Sequence, residues 1–406
     1  WYKNHKSAWH NGYGPAVATN FHDRYQEDVD LMKQIGLQCY RTSLNWARFL
    51  TDYENVVVDE EYAAYFEKMI DASGLDVWPG FVEAHCHIGL DGYGSGNAGA
   101  DYNETNDPVT PQLRAIDGIN AMDPCLNMAA KAGITCFATG PGSTNALGGT
   151  FTAIKPNGKR VDNMIVKEAI AMKCAFGENP KRRYGDKKIA TRMTNVALIR
   201  EAFRKAIQYK AKVDAADGDI TKMPVYDAKC EALIPVLEHK IPLKAHAHQA
   251  NDIFNAIRVA KEFGLDITLE HVTEGHLIVD ELVKENLPLA VGPSFGHASK
   301  FEMHNKCWET AGILANAGCH VSIITDAPVV PLHYLPLLAG FAIKAGMGEY
   351  DALRAITICA AEHIGIADRV GSLEVGKDAD VVITNGSPFE ISGQIHHVLI
   401  DGNEIR

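Results

Sequence analysis

From about residue 73 the chain alternates short apolar runs of β-forming residues with segments whose apolar positions recur every three to four residues, the pattern of a parallel α/β fold. Eight strands are predicted, at 78–85, 133–140, 149–155, 169–177, 241–247, 266–271, 287–292 and 320–326. Helices are predicted at 195–214, 226–239, 250–263 and 305–318, with Asn251 and Asp252 placed to cap the third of them. Eight strands in series predict a (β/α)8 barrel of the TIM type. The stretch DGYGSGNAGADYNETNDPVT (91–110) is polar and rich in Gly, Asn and Asp, so it reads as a long loop after the first strand. In a barrel, loops at that end build the active site. Two later β runs, ADVVITNG (379–386) and HHVLIDGNEI (396–405), read as part of a small satellite β-sheet. Ahead of the barrel, DRYQEDVDLMKQIG (23–36) is an amphipathic helix closed by Gly36, and LQCYRTSLNW (37–46) is a β run, an atypical N-terminal β/α segment. The chain thus divides into 1–72, a barrel at 73–355 and a C-terminal segment at 356–406 with the satellite strands.

Composition narrows the partners. The 406 residues are 46% hydrophobic and 22% charged, a globular balance that can bury a large core. The net charge of −12, from 39 basic and 51 acidic residues, argues against nucleic acid or an anionic membrane, both of which need clustered cations. A small-molecule substrate is the expected partner; oligomeric state is not legible, and a homo-oligomer stays open. The nine cysteines lie scattered in apolar segments with no CxxC pair, as reduced and mostly buried thiols do. No run of about 18 uninterrupted apolar residues occurs, and WYKNHKSAWHNGYG lacks the apolar core of a signal peptide, so a cytoplasmic location is expected.

The chemistry starts at FVEAHCHIGLDG (81–92). Residues i and i+2 of a strand point the same way, so His85 and His87 share a face while Cys86 points to the other. Alone, such a pair equally describes two polar residues at a strand end. However, His246 ends IPLKAHA, His271 ends DITLEH and Asp326 ends HVSIITD. Four histidines and an aspartate at C-terminal strand ends point to a metal centre, and imidazole-rich ligation suits Zn2+, as one or two divalent ions. Glu178, in AFGENPKR, is either a metal-bridging carboxylate or a surface group ahead of a turn at Asn179-Pro180. His248 shares a face with His246 and competes with it; His246 is assigned to the metal and His248 to the substrate. His297, after the seventh strand, is a second substrate contact, while Glu270 and His276 flank His271 as polar neighbours. A divalent ion in such a site brings the pKa of water near neutrality, and Asp326 is then expected to take its proton and pass it to a leaving nitrogen. The expected reaction is hydrolysis of an amide or related C–N bond.

Six segments in order, PGFVEAHCHIGL, KAGITCFATGPGS, LKAHAHQANDI, TLEHVTEGHLI, IITDAPVVP and DRVGSLEVGKDADVVITNGSP, make 73–406 resemble the metal-dependent amidohydrolase superfamily, in its imidazolonepropionase-like and prolidase-like branch. The resemblance implies His85 and His87 on a first metal, His246 and His271 on a second or shared one, Asp326 as the catalytic carboxylate, and a cyclic amide or dipeptide as substrate. Many relatives bridge two metals with a carboxylated lysine at strand four; here that strand end offers Glu178, with Lys173 earlier in the run.

Residues 1–72 differ. GYGPAVATNFHDRYQEDVDLMKQIGLQCYRTSLNWARFL followed by VDEEYAAYFEKMIDA resembles the N-terminal part of the β-glucosidase and 6-phospho-β-glucosidase family. Its enzymes need two carboxylates flanking the scissile bond, carried by Asn-Glu-Pro and Glu-Asn-Gly, and neither tripeptide occurs in this chain. Amidohydrolases of this branch begin with strands that pair with the C-terminal ones. That beginning is missing here, so 379–386 and 396–405 are expected to expose sheet edges, and a fusion near MIDASGLDV (69–77) is expected. A phospho-β-glycosidase-related protein and a catalytically impaired chimera are the alternative readings.

Overall fold

The computed structural model describes residues 50–52, 57–58, 72–93 and 96–405. The chain forms two compact units, Trp1–Asp71 with Leu373–Lys377, and Ala72–Ser372 with Asp378–Arg406. In the first, β1 (Leu50–Asp52) and β2 (Val57–Val58) pair antiparallel. The predicted helix 23–36 and strand 37–46 lie outside the described residues.

The second unit begins with a correction. The predicted strand 78–85 is two strands, β3 (Asp76–Pro79) and β4 (Phe81–Cys86), in different sheets. At Gly80 the backbone changes partners: Gly80 N–H donates to Asp380 O at 2.9 Å, and Phe81 N–H to Gly133 O at 2.9 Å. Only glycine fits this crossing, because a β-carbon on residue 80 would fall on the Thr135 side chain.

From β4 the barrel sheet follows chain order through β5 (Ile134–Thr139), β6 (Leu147–Ile154), β7 (Ile165–Ala175), β8 (Leu243–Ala247), β9 (Ile267–His271), β10 (Leu289–Val291) and β11 (Val321–Ile323). A strand therefore overlaps each of the eight predicted runs. The expected all-parallel order is nevertheless corrected: β6 runs antiparallel to both β5 and β7, while the other neighbours are parallel. The reason is connection length, since GPGSTNA (140–146) is too short for the dozen or more residues that a parallel crossover needs. The sheet is nearly closed, with helices around it. Strands β4, β5, β8 and β9 are buried at every position, as a strand covered on both faces must be. Phe81, Phe137 and Phe151 are fully buried in this wall, each contributing about 1.5–3 kcal/mol from burial.

The helices are α1 (Pro124–Lys131), α2 (Glu178–Tyr184), α3 (Arg192–Ala216), α4 (Ala228–Leu237), α5 (Ala250–Phe263), α6 (Val279–Glu285), α7 (Glu309–Asn316), α8 (Leu335–Lys344), α9 (Glu349–Ala355) and α10 (Ile358–His363). Thr191 and Asp227 cap α3 and α4 through their side chains. For α5 the expected cap is corrected. Gln249 holds the cap position, Glu274 accepts the Ala250 N–H at 2.8 Å, and Asp252 is buried under Arg192 at 2.8 Å. No helix among the described residues is long and apolar enough to cross a membrane.

The satellite sheet orders β14 (Asn403–Glu404), β13 (Gln394–Ile400), β12 (Val381–Asn385) and β3. The expectation of bare edges at 379–386 and 396–405 is thereby corrected. β12 pairs with β13 on one side and with β3 on the other, with Val381 opposite Pro79 and Ile383 opposite Val77, while β13 lies between β12 and β14.

Candidate metal centre

Four barrel strands deliver the predicted residues to one end. β4 carries His85, with His87 just past its end; β8 carries His246, with His248 just beyond; β9 ends on His271; and Asp326 follows β11. The five histidines are buried. His271 and Asp326 have left-handed backbones, with φ of 74° and 51°, so the chain turns sharply where these side chains are aimed.

Hydrogen bonds fix the rings. His87 Nδ1 donates to Gly140 O at 2.7 Å and His271 Nδ1 to Gly292 O at 2.8 Å. A carbonyl can only accept, so each of these Nδ1 atoms carries the hydrogen, and a neutral ring then has a bare Nε2 lone pair. His248 Nδ1 lies 2.7 Å from Thr273 Oγ1, and His85 Nδ1 lies 2.9 Å from Glu270. Burial is the main cause holding the His85, His246 and His248 imidazoles well below the ordinary range; it takes His271 down to about 4.

Ligand atoms of these side chains converge in two groups, His85 with His87 and Asp326, and His246 with His248 and His271. Asp326 Oδ1 lies 3.2 Å from His87 Nε2 and 3.7 Å from His85 Nε2, yet it is buried without a hydrogen-bond donor. His246 Nδ1 is likewise buried with no partner. Lone pairs facing a carboxylate oxygen repel, and a cation among them removes that repulsion. The donor set therefore fits a divalent metal, in one or two positions.

Sequence reasoning passed over Lys173 as a site residue. It is fully buried on β7, with Nζ 3.0 Å from His85 Nε2, and burial takes its ammonium down to about 8. A lysine inside the apolar run AIAMKCAFG was the available signal. The alternative of a metal-bridging Glu178 is corrected. α2 begins at Glu178 and turns its carboxylate to the Glu302 N–H at 3.3 Å, leaving it outside both ligand groups. His297 is also corrected: it is exposed and does not line the cavity over the centre.

That cavity measures about 500 Å3. His248 lines it along with His87, His246 and Asp326, and Tyr102, Asn103, Arg182, Arg183 and Lys300 form more of its wall. Lys300 sits 2.6 Å from the buried Glu302, whose Oε1 is 3.7 Å and 3.8 Å from His246 and His248. Arg182 and Arg183 are exposed and have no hydrogen bond or ion pair among the described residues. No periodic signal marked these loop and helix residues.

Residues 77–405 match the profile of the Amidohydrolase family, and residues 1–76 that of Glycosyl hydrolase family 1. A crystal structure of an amidohydrolase from Thermotoga maritima MSB8 superposes with a TM-score of 0.81 and 40% identity, covering 83% of this chain and 88% of that one. Amidohydrolase tasK of Hapsidospora irregularis is 28% identical over 357 residues, 82% of this chain and 36% of its own. The imidazolonepropionase of Symbiobacterium thermophilum is 32% identical over 144 residues, 35% of this chain and 33% of its own. The matched regions thus span about a third of each of these two curated relatives.

Proposed function

Because the chain belongs to the Amidohydrolase family, we propose that it is a metal-dependent hydrolase that cleaves a carbon–nitrogen bond in a small amide, cyclic amide or dipeptide. The observation that carries this reading is the convergence of imidazole nitrogens without hydrogens on the donorless oxygen of Asp326. His85, His87 and Asp326 would hold one ion and His246 with His271 a second, with Lys173 Nζ 3.0 Å from His85 Nε2; the imidazole-rich set favours zinc. Such an ion, when bound, polarises the scissile carbonyl and acidifies water. Asp326 takes the proton from the attacking water and returns it to the leaving nitrogen. His248 lines the cavity and faces the substrate. Residues 1–76 are taken as a glycosidase-derived segment joined to this enzyme, with no part in catalysis, since the motifs of that family's two carboxylates are missing from the chain.

The test is metal analysis of the purified protein together with turnover of a panel of dipeptides, hydantoin-like rings and imidazolones. Bound divalent metal, and activity lost to a chelator and regained with zinc, are expected. Protein that neither contains nor takes up metal would sink the reading.

The unpaired Arg182 and Arg183 at the cavity wall, in a chain of net charge −12, favour a substrate with a carboxylate. The double change Arg182→Ala/Arg183→Ala is expected to raise KM for carboxylate-bearing substrates about tenfold with kcat little changed. Neutral amide analogues should be unaffected. An equal loss on both substrate types would remove the arginines from substrate recognition.

A further inference from the structure

Glu270 is completely buried, and four side chains give it their hydrogens. His85 Nδ1 from β4 and Lys244 Nζ from β8 lie 2.9 Å from Oε2. His363 Nε2 from α10 lies 2.8 Å and Thr268 Oγ1 2.7 Å from Oε1. A buried carboxylate is costly unless paired and fully hydrogen-bonded, and here every direction of approach is taken. The orientation of His363 is also fixed. Burial lowers its pKa, and its Nδ1 is buried without a partner, so the one hydrogen of the neutral ring sits on Nε2 and points at Glu270.

We infer that Glu270 is a positioning residue for the metal centre, holding His85 as the Nδ1–H tautomer so that its Nε2 lone pair is presented beside Lys173 and Asp326. Nε2 lies 3.0 Å from Lys173 Nζ and 3.7 Å from Asp326 Oδ1, on the far side of the ring from the carboxylate. His87 and His271 achieve the same orientation with neutral backbone carbonyls; only His85 uses a carboxylate. The charged acceptor makes Nε2 a stronger donor to a cation and holds the ring against rotation. Lys244, His363 and Thr268 keep that acceptor ionised and in place. The consequence for affinity rests on the metal reading proposed above; the tautomer does not.

Two measurements test it. Long-range proton–nitrogen correlation spectra of the metal-free wild-type protein should show His85 neutral with its hydrogen on Nδ1; a hydrogen on Nε2 overturns the inference. Chelator competition should then give Glu270→Gln an affinity about 10–100-fold weaker for the ion at His85 and His87, with the other ion held normally. The double variant Glu270→Gln/Lys244→Gln removes both buried charges together and should show the same selective loss. Wild-type affinity at both positions in either folded variant overturns the inference, and if neither variant folds the wild-type tautomer decides. A protein that binds no metal defeats the metal reading while the tautomer is still read.

Discussion

Asp326→Asn is expected to lower kcat by about 10²–10⁴-fold with metal still bound, because the change removes a proton acceptor while leaving an oxygen for the ion held with His85 and His87. The two side chains have the same shape, and Asn keeps one oxygen where Asp326 Oδ1 faces His85 and His87. The backbone is also undisturbed: residue 326 has φ of 51°, a left-handed conformation that Asn tolerates as well as Asp does. Alanine would confuse the experiment by straining the turn and opening a hole. Steady-state kinetics on any substrate from the panel, with metal measured on the same samples, separates the outcomes. A kcat within tenfold of wild type would remove Asp326 from proton transfer, and loss of metal would make it chiefly a ligand.

The second large effect is expected at Lys173. Burial disfavours the Lys173 ammonium more than the nearby carboxylates of Glu270 and Asp326 favour it, and its fall to about 8 leaves it largely available as the free base in mildly alkaline solution. A free amine adds carbon dioxide: the nitrogen–carbon bond forms, one proton leaves, and a carbamate with one negative charge remains. That group would supply oxygens beside His85 and toward the second ligand group, as the carboxylated lysine of many amidohydrolases does. Lys173→Ala is expected to lose at least one ion and more than about a hundredfold in kcat/KM. Partial recovery should follow when a short-chain carboxylate such as propionate is added to fill the space. Intact mass of the metal-loaded wild type should show the gain of one carbon dioxide, reversed by chelation. Lys173→Met controls for folding, since a buried apolar side chain of similar length does not lower the unfolding midpoint of the metal-free protein. Full metal occupancy and turnover in Lys173→Ala would dismiss the bridging role.

The strands of the barrel were legible because a strand buried on both faces writes an unbroken apolar run, and all eight runs overlap one. Their direction was not, although the brevity of GPGSTNA between two such runs excluded a parallel crossover. The split at Gly80 was hidden for a different reason: the partners that impose it, Asp380 and Thr135, are remote in sequence, while the local pattern runs on across the break. His85, His87, His246, His271 and Asp326, which the structure brings together, drew attention because each lies at or near the end of a run. Lys173 lies inside its strand, where attention to ends does not reach, and Glu178 drew that attention by being the first carboxylate after it. What turns Glu178 away is the start of α2 and the backbone of Glu302, more than a hundred residues later. His297 failed similarly, because nothing in PSFGHASK tells which residues of a loop face inward; Ser299 and Lys300 do.

The reversed strand β6 divides this scaffold into parts that can and cannot vary. At the catalytic end it leaves the short turn 140–146 in place of a strand-to-helix loop, and the Gly140 carbonyl in that turn fixes the ring of His87. An insertion there would displace a metal ligand while also reshaping the cavity, which Ser143 and Thr144 of the turn line. The long segments 87–123 and 293–306 carry no such tie through Tyr102, Asn103, Ser299 or Lys300, which line the cavity. Drift toward new substrates in this barrel is therefore expected in those two segments and at Arg182 and Arg183 of α2, while the turn before β6 stays fixed in length.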